Sequence, residues 1–564
     1  MPRSLAVAAR TRVGQLFFLL SLTGFLFFFR LADRDLWSSH EGRAAQDAQT
    51  ILREGCWGLP RLFDQHLELQ KPPLYYWLVA GLGKVRGGPV DAWAVRLPAA
   101  LSGLLTVLGL YGLGWYRGRP VAGLLGAVIL ATAQHYTWLA HIGRIDMPLC
   151  LAVSVALGGF YLGQRCRQER AGRGAWGWFL LAYVASAIAV LLKGPIGIIL
   201  PAAGAGLSLL VEGELPVPWA GRRWWRLAHE LGLWWGLFLV LGLAAPWFVW
   251  AEFQTGGALG RTFFWYHNLD RALGAGGLRD YPWWFYGPRL AMDFLPWTVV
   301  VPAAGWFLYR RGLWRQDPEV RFGLTWLAAL VLLLSCVGFK RGDYLVPAYP
   351  GAALFLGGAG ERWLQSVRYP RRWAALGLAL VLACVAGWWI FLTQVLPRSE
   401  AQREDQRFAA AIRRLTPGRV LFFRVEAHAL AFHLGPPVET LMEWENLDIW
   451  ASRPDPIYIL MRPDNAAEWP RYITSGRLEE VLRNTDLSGG EHEHPLILMR
   501  TSGRRTGADA CPTEWRVHPD ERLPRTAPDR DCSAECGAAG PLRGEGGGDC
   551  PGLVRPTGRA RTRG

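Results

Sequence analysis

Apolar runs recur along this chain near residues 14–32, 97–115, 120–136, 148–163, 176–192, 195–211, 231–250, 288–308, 322–338, 344–360 and 373–394. Each is long enough, with generous ends, to cross a hydrocarbon core of about 30 Å. Backbone groups in lipid must be satisfied within the spanning segment, so these runs are expected to be helices. The fold class that follows is a polytopic α-helical membrane protein of about eleven spans. Composition agrees, with 51% hydrophobic residues, 30 Trp and 25 Phe among 564.

Charge then sets sidedness. Arg3, Arg10 and Arg12 precede the first run, which ends without a small-residue cleavage site, so it reads as an uncleaved signal anchor with a cytoplasmic N-terminus. Counting onward puts Arg117 and Arg119, then Arg165 to Arg173, Arg222 to Arg226, Arg310 to Arg315 and Arg362 to Arg372 on the inner side. The formal charge of +15 therefore lies in cytoplasmic loops, and nucleic acid is not an expected partner. The segment "PPLYYWLVAGLG", residues 72–83, is too short to cross. Counted as a span it would send every arginine cluster outward, so it is expected to be an interfacial or re-entrant helix.

The outward loops hold "SSHEGRAAQD", "LELQKPPLYYW", "AHIGRIDMP", "LLKGPIG", "FFWYHNLDRALG" and "GFKRGDYLVPAYP". Acid, base and histidine side chains thus gather at one membrane boundary, as the walls of a single site would. The domain reading is 1–396 for the membrane part, 397–502 for a small extracytoplasmic α/β domain with apolar strands at VLFFR, PIYIL and PLILM, and 503–564 for a disordered tail. Cys511, Cys532, Cys536 and Cys550 in that tail lack regular metal-type spacing.

The order of these motifs carries a resemblance. Glu41 and Arg43, Lys71 to Leu74 with Tyr76 and Trp77, Arg144 to Pro148, Lys193 to Pro195, His267 and Asn268, Pro282 to Trp284, Phe294 to Trp297, and Lys340 with Tyr344, Pro347 and Pro350 follow one another along residues 30–360. In this order they resemble the bacterial members of the protein mannosyltransferase and lipid A aminoarabinose transferase family, glycosyltransferase family 39-like enzymes of the GT-C fold. The resemblance implies an inverting glycosyltransferase of the bacterial inner membrane. Its donor would be a polyprenyl-phosphate sugar, its acceptor a lipid, protein or cell-envelope glycan, and its active site would face the periplasm. The family usually has Asp-Glu in the first outward loop, where this chain has His40-Glu41.

Transfer away from a lipid phosphate needs cations at the phosphate and a carboxylate near the acceptor. Lys71, Arg43, Lys340, Arg144 and Arg341 are the candidate phosphate ligands. Glu41 is expected to be the general base, its pKa raised by partial burial, with Asp146 positioning sugar and His40 assisting in the vacated acidic position. His267, Tyr76 and Tyr344 are candidate sugar or acceptor contacts. No metal cage is expected; a divalent cation on Glu41 and Asp146 is compatible with the residues but not obligatory. The competing readings are a polyprenyl-sugar transporter or flippase, disfavoured by the lack of internal repeats and of mid-membrane charge apart from Asp293 just inside the eighth run, and a non-catalytic sugar-lipid binding relative.

Overall fold

The computed structural model describes residues 2–36, 38–169, 172–273, 281–400, 405–484 and 495–502. The tail from 503, with its four cysteines, and Arg170 lie outside the described residues. In chain order the membrane part contains α1 (Pro2–Phe28), α2 (Ser39–Glu54), α3 (Leu74–Arg86), α4 (Ala92–Tyr116), α5 (Pro120–Ala131), α6 (Gln134–Ala140) and α7 (Asp146–Gln168). It continues through α8 (Gly172–Lys193), α9 (Ile196–Val211), α10 (Gly221–Glu230), α11 (Leu233–Gln254), α12 (Tyr286–Asp293) and α13 (Val301–Arg310). α14 (Pro318–Ser335), α15 (Tyr349–Ser366) and α16 (Pro370–Ile390) complete it.

Every apolar run is helical in this bundle. Among the described residues seven helices are long and apolar enough to cross a membrane, or eight if a pair bent by 107° counts as one span. That pair, in the 288–308 run, breaks between Asp293 and Trp297, and the break is held by Gln134 N–H donating to the Leu295 carbonyl at 2.9 Å and the Trp297 indole donating to Thr132 at 2.9 Å. α5 and α9 are apolar but shorter. The 72–83 segment folds as α3, 13 residues long.

Small residues let neighbouring spans approach closely. A Cβ on Gly114 would lie 2.4 Å from Gly123 Cα, and one on Gly323 2.6 Å from Phe355 N, so the α4–α5 and α14–α15 contacts both require glycine. One end of the bundle is closed by ion pairs: Arg119 with Asp317 (2.5 Å) and Glu361 (2.6 Å), Arg117 with Glu319 (3.0 Å), Arg321 with Glu212 (2.8 Å), and Arg167 with Glu214 and Glu230 (2.6 Å each). Arg117, Arg119 and Arg167, all assigned inward by charge, therefore meet on a common face. α4, which rises roughly 36 Å over its length, carries Arg96 near its start and ends beside Arg117 at this face.

The C-terminal unit is a five-stranded sheet with helices. Its strands are β1 (Val420–Phe423), β2 (Val438–Leu441), β3 (Tyr458–Met461), β4 (Arg477–Asn484) and β5 (Leu496–Ser502), in the order β2-β1-β3-β5-β4. β1 pairs parallel with β2 and β3, and β5 runs antiparallel between β3 and β4. The helices are α17 (Asp405–Leu415), α18 (His428–Leu434), α19 (Trp444–Ala451) and α20 (Pro463–Tyr472). β1 and most of β3 and β5 are buried, while β4 is a largely exposed edge.

Candidate active site

α2 brings the first group of side chains into place. Ser38 caps its N-terminus by accepting from the Glu41 N–H at 3.2 Å, and Gly55 ends it in the left-handed region at φ 70°. The cap fixes where His40 and Glu41 leave the first turn, and they leave it toward different partners.

Glu41 is fully buried. Arg96 grips both its oxygens, Nε to Oε1 at 2.7 Å and Nη2 to Oε2 at 3.1 Å, while the Gly143 N–H donates to Oε1 at 2.8 Å. Burial opposes ionisation, but Arg96 outweighs it and brings the carboxyl down to about 2. This corrects the expectation that Glu41 is a base with a raised pKa. Such a carboxylate is a weak proton acceptor with no open oxygen. Arg96 also donates to the carbonyls of Leu31, Arg34 and Asp35, so the pair joins α2, α4 and the end of the first span.

His40 stands between two cations: Lys71 Nζ is 3.3 Å from Nδ1 and Arg341 Nη2 is 3.2 Å from Nε2. Burial, then Lys71, Arg144 and Arg341, push its pKa well below the ordinary value, and the ring is neutral at pH 7. A neutral imidazole has one accepting nitrogen, so only one of these cations donates a hydrogen bond to it at a time.

A second group adjoins the first. Asp146, at the start of α7, receives Lys193 at 2.5 Å and Arg144 at 3.4 Å. Arg144 reaches Asp343 at 2.7 Å, and Asp343 also lies 3.9 Å from Arg341 and 3.3 Å from His135. His135 Nδ1 in turn faces Asp293 at 3.3 Å and the Tyr349 hydroxyl at 3.0 Å, and Arg289 donates to Asp293 at 2.7 Å. Although burial raises it, His135 and the arginines hold the Asp343 carboxyl below the usual carboxylate range. Tyr344 presents its ring to Lys193, whose Nζ lies 4.3 Å from the centroid.

The structure thus brings together His40, Lys71, Arg144, Asp146, Arg341 and Tyr344, and separates others. Arg43 turns to Gln70, Glu68 (3.5 Å) and His428 (3.1 Å), on the side of α2 that meets the C-terminal unit, and is corrected from phosphate ligand to tether. Lys340 donates to the carbonyls of Tyr281 (3.0 Å) and Val337 (2.5 Å), which satisfy its ammonium in place of a phosphate. Tyr76 is buried in the apolar core with its ring edge-on to Tyr75, a packing role in place of the expected sugar contact. His267 packs edge-on against its neighbour Tyr266. Among the described residues no group of three or more His, Cys, Asp or Glu side chains is arranged to hold a metal ion.

Sequence reasoning missed Arg96, Asp343, His135 and Arg271. Arg96 stands alone near the start of an apolar run, and an isolated charge there is itself a signal. Arg271 lies with its guanidinium 5.2 Å from the Phe339 ring centroid, and its Nε and Nη2 are buried with no hydrogen-bond partner among the described residues. Asp47, two helical turns along from His40, is also fully buried with both oxygens unpartnered among the described residues; burial, then Glu68, raises its pKa well above the ordinary value.

The bundle, charged at both ends and joined to a small mixed sheet, has the GT-C fold of its solved neighbours. The crystal structure of ArnT from Cupriavidus metallidurans bound to undecaprenyl phosphate matches with a TM-score of 0.68 at 20% identity, over 86% of this chain and 98% of that one. The Archaeoglobus fulgidus oligosaccharyltransferase matches at 0.52 with 12% identity, over 81% and 71%. Residues 70–250 match the family model of the dolichyl-phosphate-mannose-protein mannosyltransferases. The undecaprenyl phosphate-alpha-4-amino-4-deoxy-L-arabinose arabinosyl transferases of Pseudomonas paraeruginosa and Pseudomonas aeruginosa strain LESB58 are 28% and 29% identical over 344 residues, 60% of this chain and 58% of theirs. The chain thus matches less than two thirds of these relatives' length. It is a multi-pass membrane protein with the GT-C fold, similar over part of its length to these mannosyl- and arabinosyltransferases.

Proposed function

We propose that this protein transfers a sugar, with inversion, from a polyprenyl-phosphate carrier to an acceptor on the outer side of a bacterial inner membrane. The observation that carries the reading is the convergence of Lys71 and Arg341 on one neutral imidazole, with Arg144 and Lys193 adjoining. Like charges crowd this way where an anion neutralises them, and a phosphate diester at the lipid boundary has the charge and the oxygens to do so. The resemblance to arabinosyltransferases and the undecaprenyl phosphate in the related crystal structure support the same donor class.

In this reading Lys71 and Arg341 turn from His40 to the donor phosphate oxygens and stabilise the charge that develops as the sugar–phosphate bond breaks. Their departure frees the imidazole to accept the acceptor's proton as the new bond forms. Asp146, held by Lys193 and Arg144, positions the sugar. No metal is assigned a part. The aminoarabinose of the relatives is the first sugar to test, with lipid A, protein and glycan acceptors alongside it.

The test is release of undecaprenyl phosphate from a sugar-loaded donor by purified variants. Lys71→Ala is expected to lower turnover at least about tenfold, the value of a charge-assisted bond. His40→Asn should lower it by about a hundredfold or more, and His40→Asp should restore much of it. Full activity in His40→Asn would remove the imidazole from the reaction, and full activity in Lys71→Ala would remove that lysine from phosphate binding.

A further inference from the structure

Beyond the first span, a second polar feature lies outside the site described above. Arg30, Asp33, Arg34, Trp138, His141 and Glu400 line a cavity of about 110 Å³. Its polar wall is bipolar. Arg30 pairs with Asp33 at 2.6 Å, and Arg34 with Glu400 at 3.5 Å. Arg30 also donates to the Leu392 carbonyl at 3.0 Å and Arg34 to the His141 carbonyl at 3.0 Å.

The loop carrying these groups is held rigidly. Arg96 donates to the carbonyls of Leu31 (3.0 Å), Arg34 (2.9 Å) and Asp35 (2.6 Å), and Arg30 itself sits at φ 59°, a conformation non-glycine residues keep only where surroundings enforce it. Next to the cavity, Trp138, Phe391 and Trp388 form an aromatic group with centroids 5.7 and 5.3 Å apart. Trp389, Ile390 and Val395 on the adjoining segment are about half exposed and face outward. Two arginines, two carboxylates and an aromatic group at the end of a membrane span make a headgroup-level site beside lipid-facing surface.

We infer that this cavity binds the headgroup of an ethanolamine phospholipid. The phosphate lies on Arg30 and Arg34, the ammonium on Asp33 and Glu400, and the acyl chains run along the exposed apolar side chains near Trp389. A purely anionic headgroup would leave both carboxylates facing negative charge. Choline offers them no N–H donor, and the ring of Trp138 that would hold a quaternary ammonium is already covered by the Arg34 guanidinium at 4.9 Å.

The experiment is native mass spectrometry of the full chain from vesicles containing equal phosphatidylethanolamine, phosphatidylglycerol and phosphatidylcholine, counting lipids retained on mild delipidation. The wild type should keep phosphatidylethanolamine in preference to the other two. Arg30→Gln should lower that retention about tenfold, and Asp33→Asn should abolish the preference over phosphatidylglycerol while binding persists. The two side chains are 33% and 54% exposed, so both variants are expected to melt with the wild type. If Arg30→Gln fails to fold, Asp33→Asn alone decides. Equal retention of all three lipids by the wild type, or an unchanged preference in the folded variants, overturns the site. The readout is lipid mass, so its failure leaves the glycosyl-transfer reading untouched.

Discussion

At the scale of single residues, the Glu41–Arg96 pair and Asp47 show how burial and partners separate two carboxylates that look alike in sequence. Removing one member of a buried, hydrogen-bonded ion pair leaves the other charge uncompensated and costs about 3–5 kcal/mol. Glu41→Gln is therefore expected to lower the melting temperature and the yield of folded protein together, whereas His40→Asn should lower turnover in a protein that melts normally. A normally melting Glu41→Gln would undo the structural assignment. The sign with pH follows from the depressed carboxyl. At about 2, against an ordinary 4.5, it stabilises the fold fully above pH 4.5 and loses that contribution as the pH falls toward 2. Asp47 runs the other way, because its raised pKa makes ionisation on raising the pH a cost to the folded state. Asp47→Asn should keep or raise the melting temperature at pH 8 relative to wild type; a fall of several degrees would mean the carboxylate is needed in charged form. Glu41 is legible in the sequence within a resembling motif; Arg96, 55 residues away, shows only as an isolated charge, and its partner is not legible, since long-range pairing leaves no local pattern.

At the scale of elements, α2 is the part on which the site depends. Its first turn points His40 at Lys71 and Arg341, the next residue meets Arg96, and Gly42 meets the backbone of α18 so closely that a Cβ would lie 2.5 Å from Ala429 N and 2.6 Å from His428 C. Arg43 and Gln46 then bond His428, Gln46 at 2.9 Å to its carbonyl. The small sheet unit thus fixes the rotation and height of the helix that carries His40. Gly42→Ala must push α18 away, at about 1–3 kcal/mol, and is expected to make residues 405–502 more sensitive to limited proteolysis and to lower turnover severalfold through misplacement of His40. Gly81→Ala, whose Cβ would meet nothing within 4 Å, is the control. Equal behaviour of the two would dissociate the sheet unit from the site. The apolar strands at VLFFR, PIYIL and PLILM were legible because a buried strand is a short apolar run. β2, four residues long, and β4, polar along an exposed edge, were not, because neither shows an apolar pattern that separates strand from loop.

For the whole molecule, charge distribution carried more of the fold than any motif did. The positive-inside argument put the arginine loops on one side and "SSHEGRAAQD", "GRIDMP" and "KRGDY" on the other, and the structure joins the first group through carboxylates such as Asp317 and the second through Asp146 and Asp343. Charge clusters are readable in sequence because lipid forces them to the ends of spans; which cation meets which anion is set by packing and is not. Sidedness itself can be measured. α4 separates the two ends by roughly 36 Å, more than the roughly 30 Å hydrocarbon core, so no side chain serves both. In a background lacking native cysteines, His66→Cys, in an exposed loop between α2 and α3, should react with an impermeant maleimide in intact cells. Arg222→Cys, on exposed α10, should react only after the membrane is opened. If both label from outside, the arginine loops are not cytoplasmic and the outward-facing site fails. If Arg222→Cys alone labels from outside, the site faces the cytoplasm, where a polyprenyl-phosphate sugar would have to be used before it crosses the membrane, and the acceptor would have to be sought on that side.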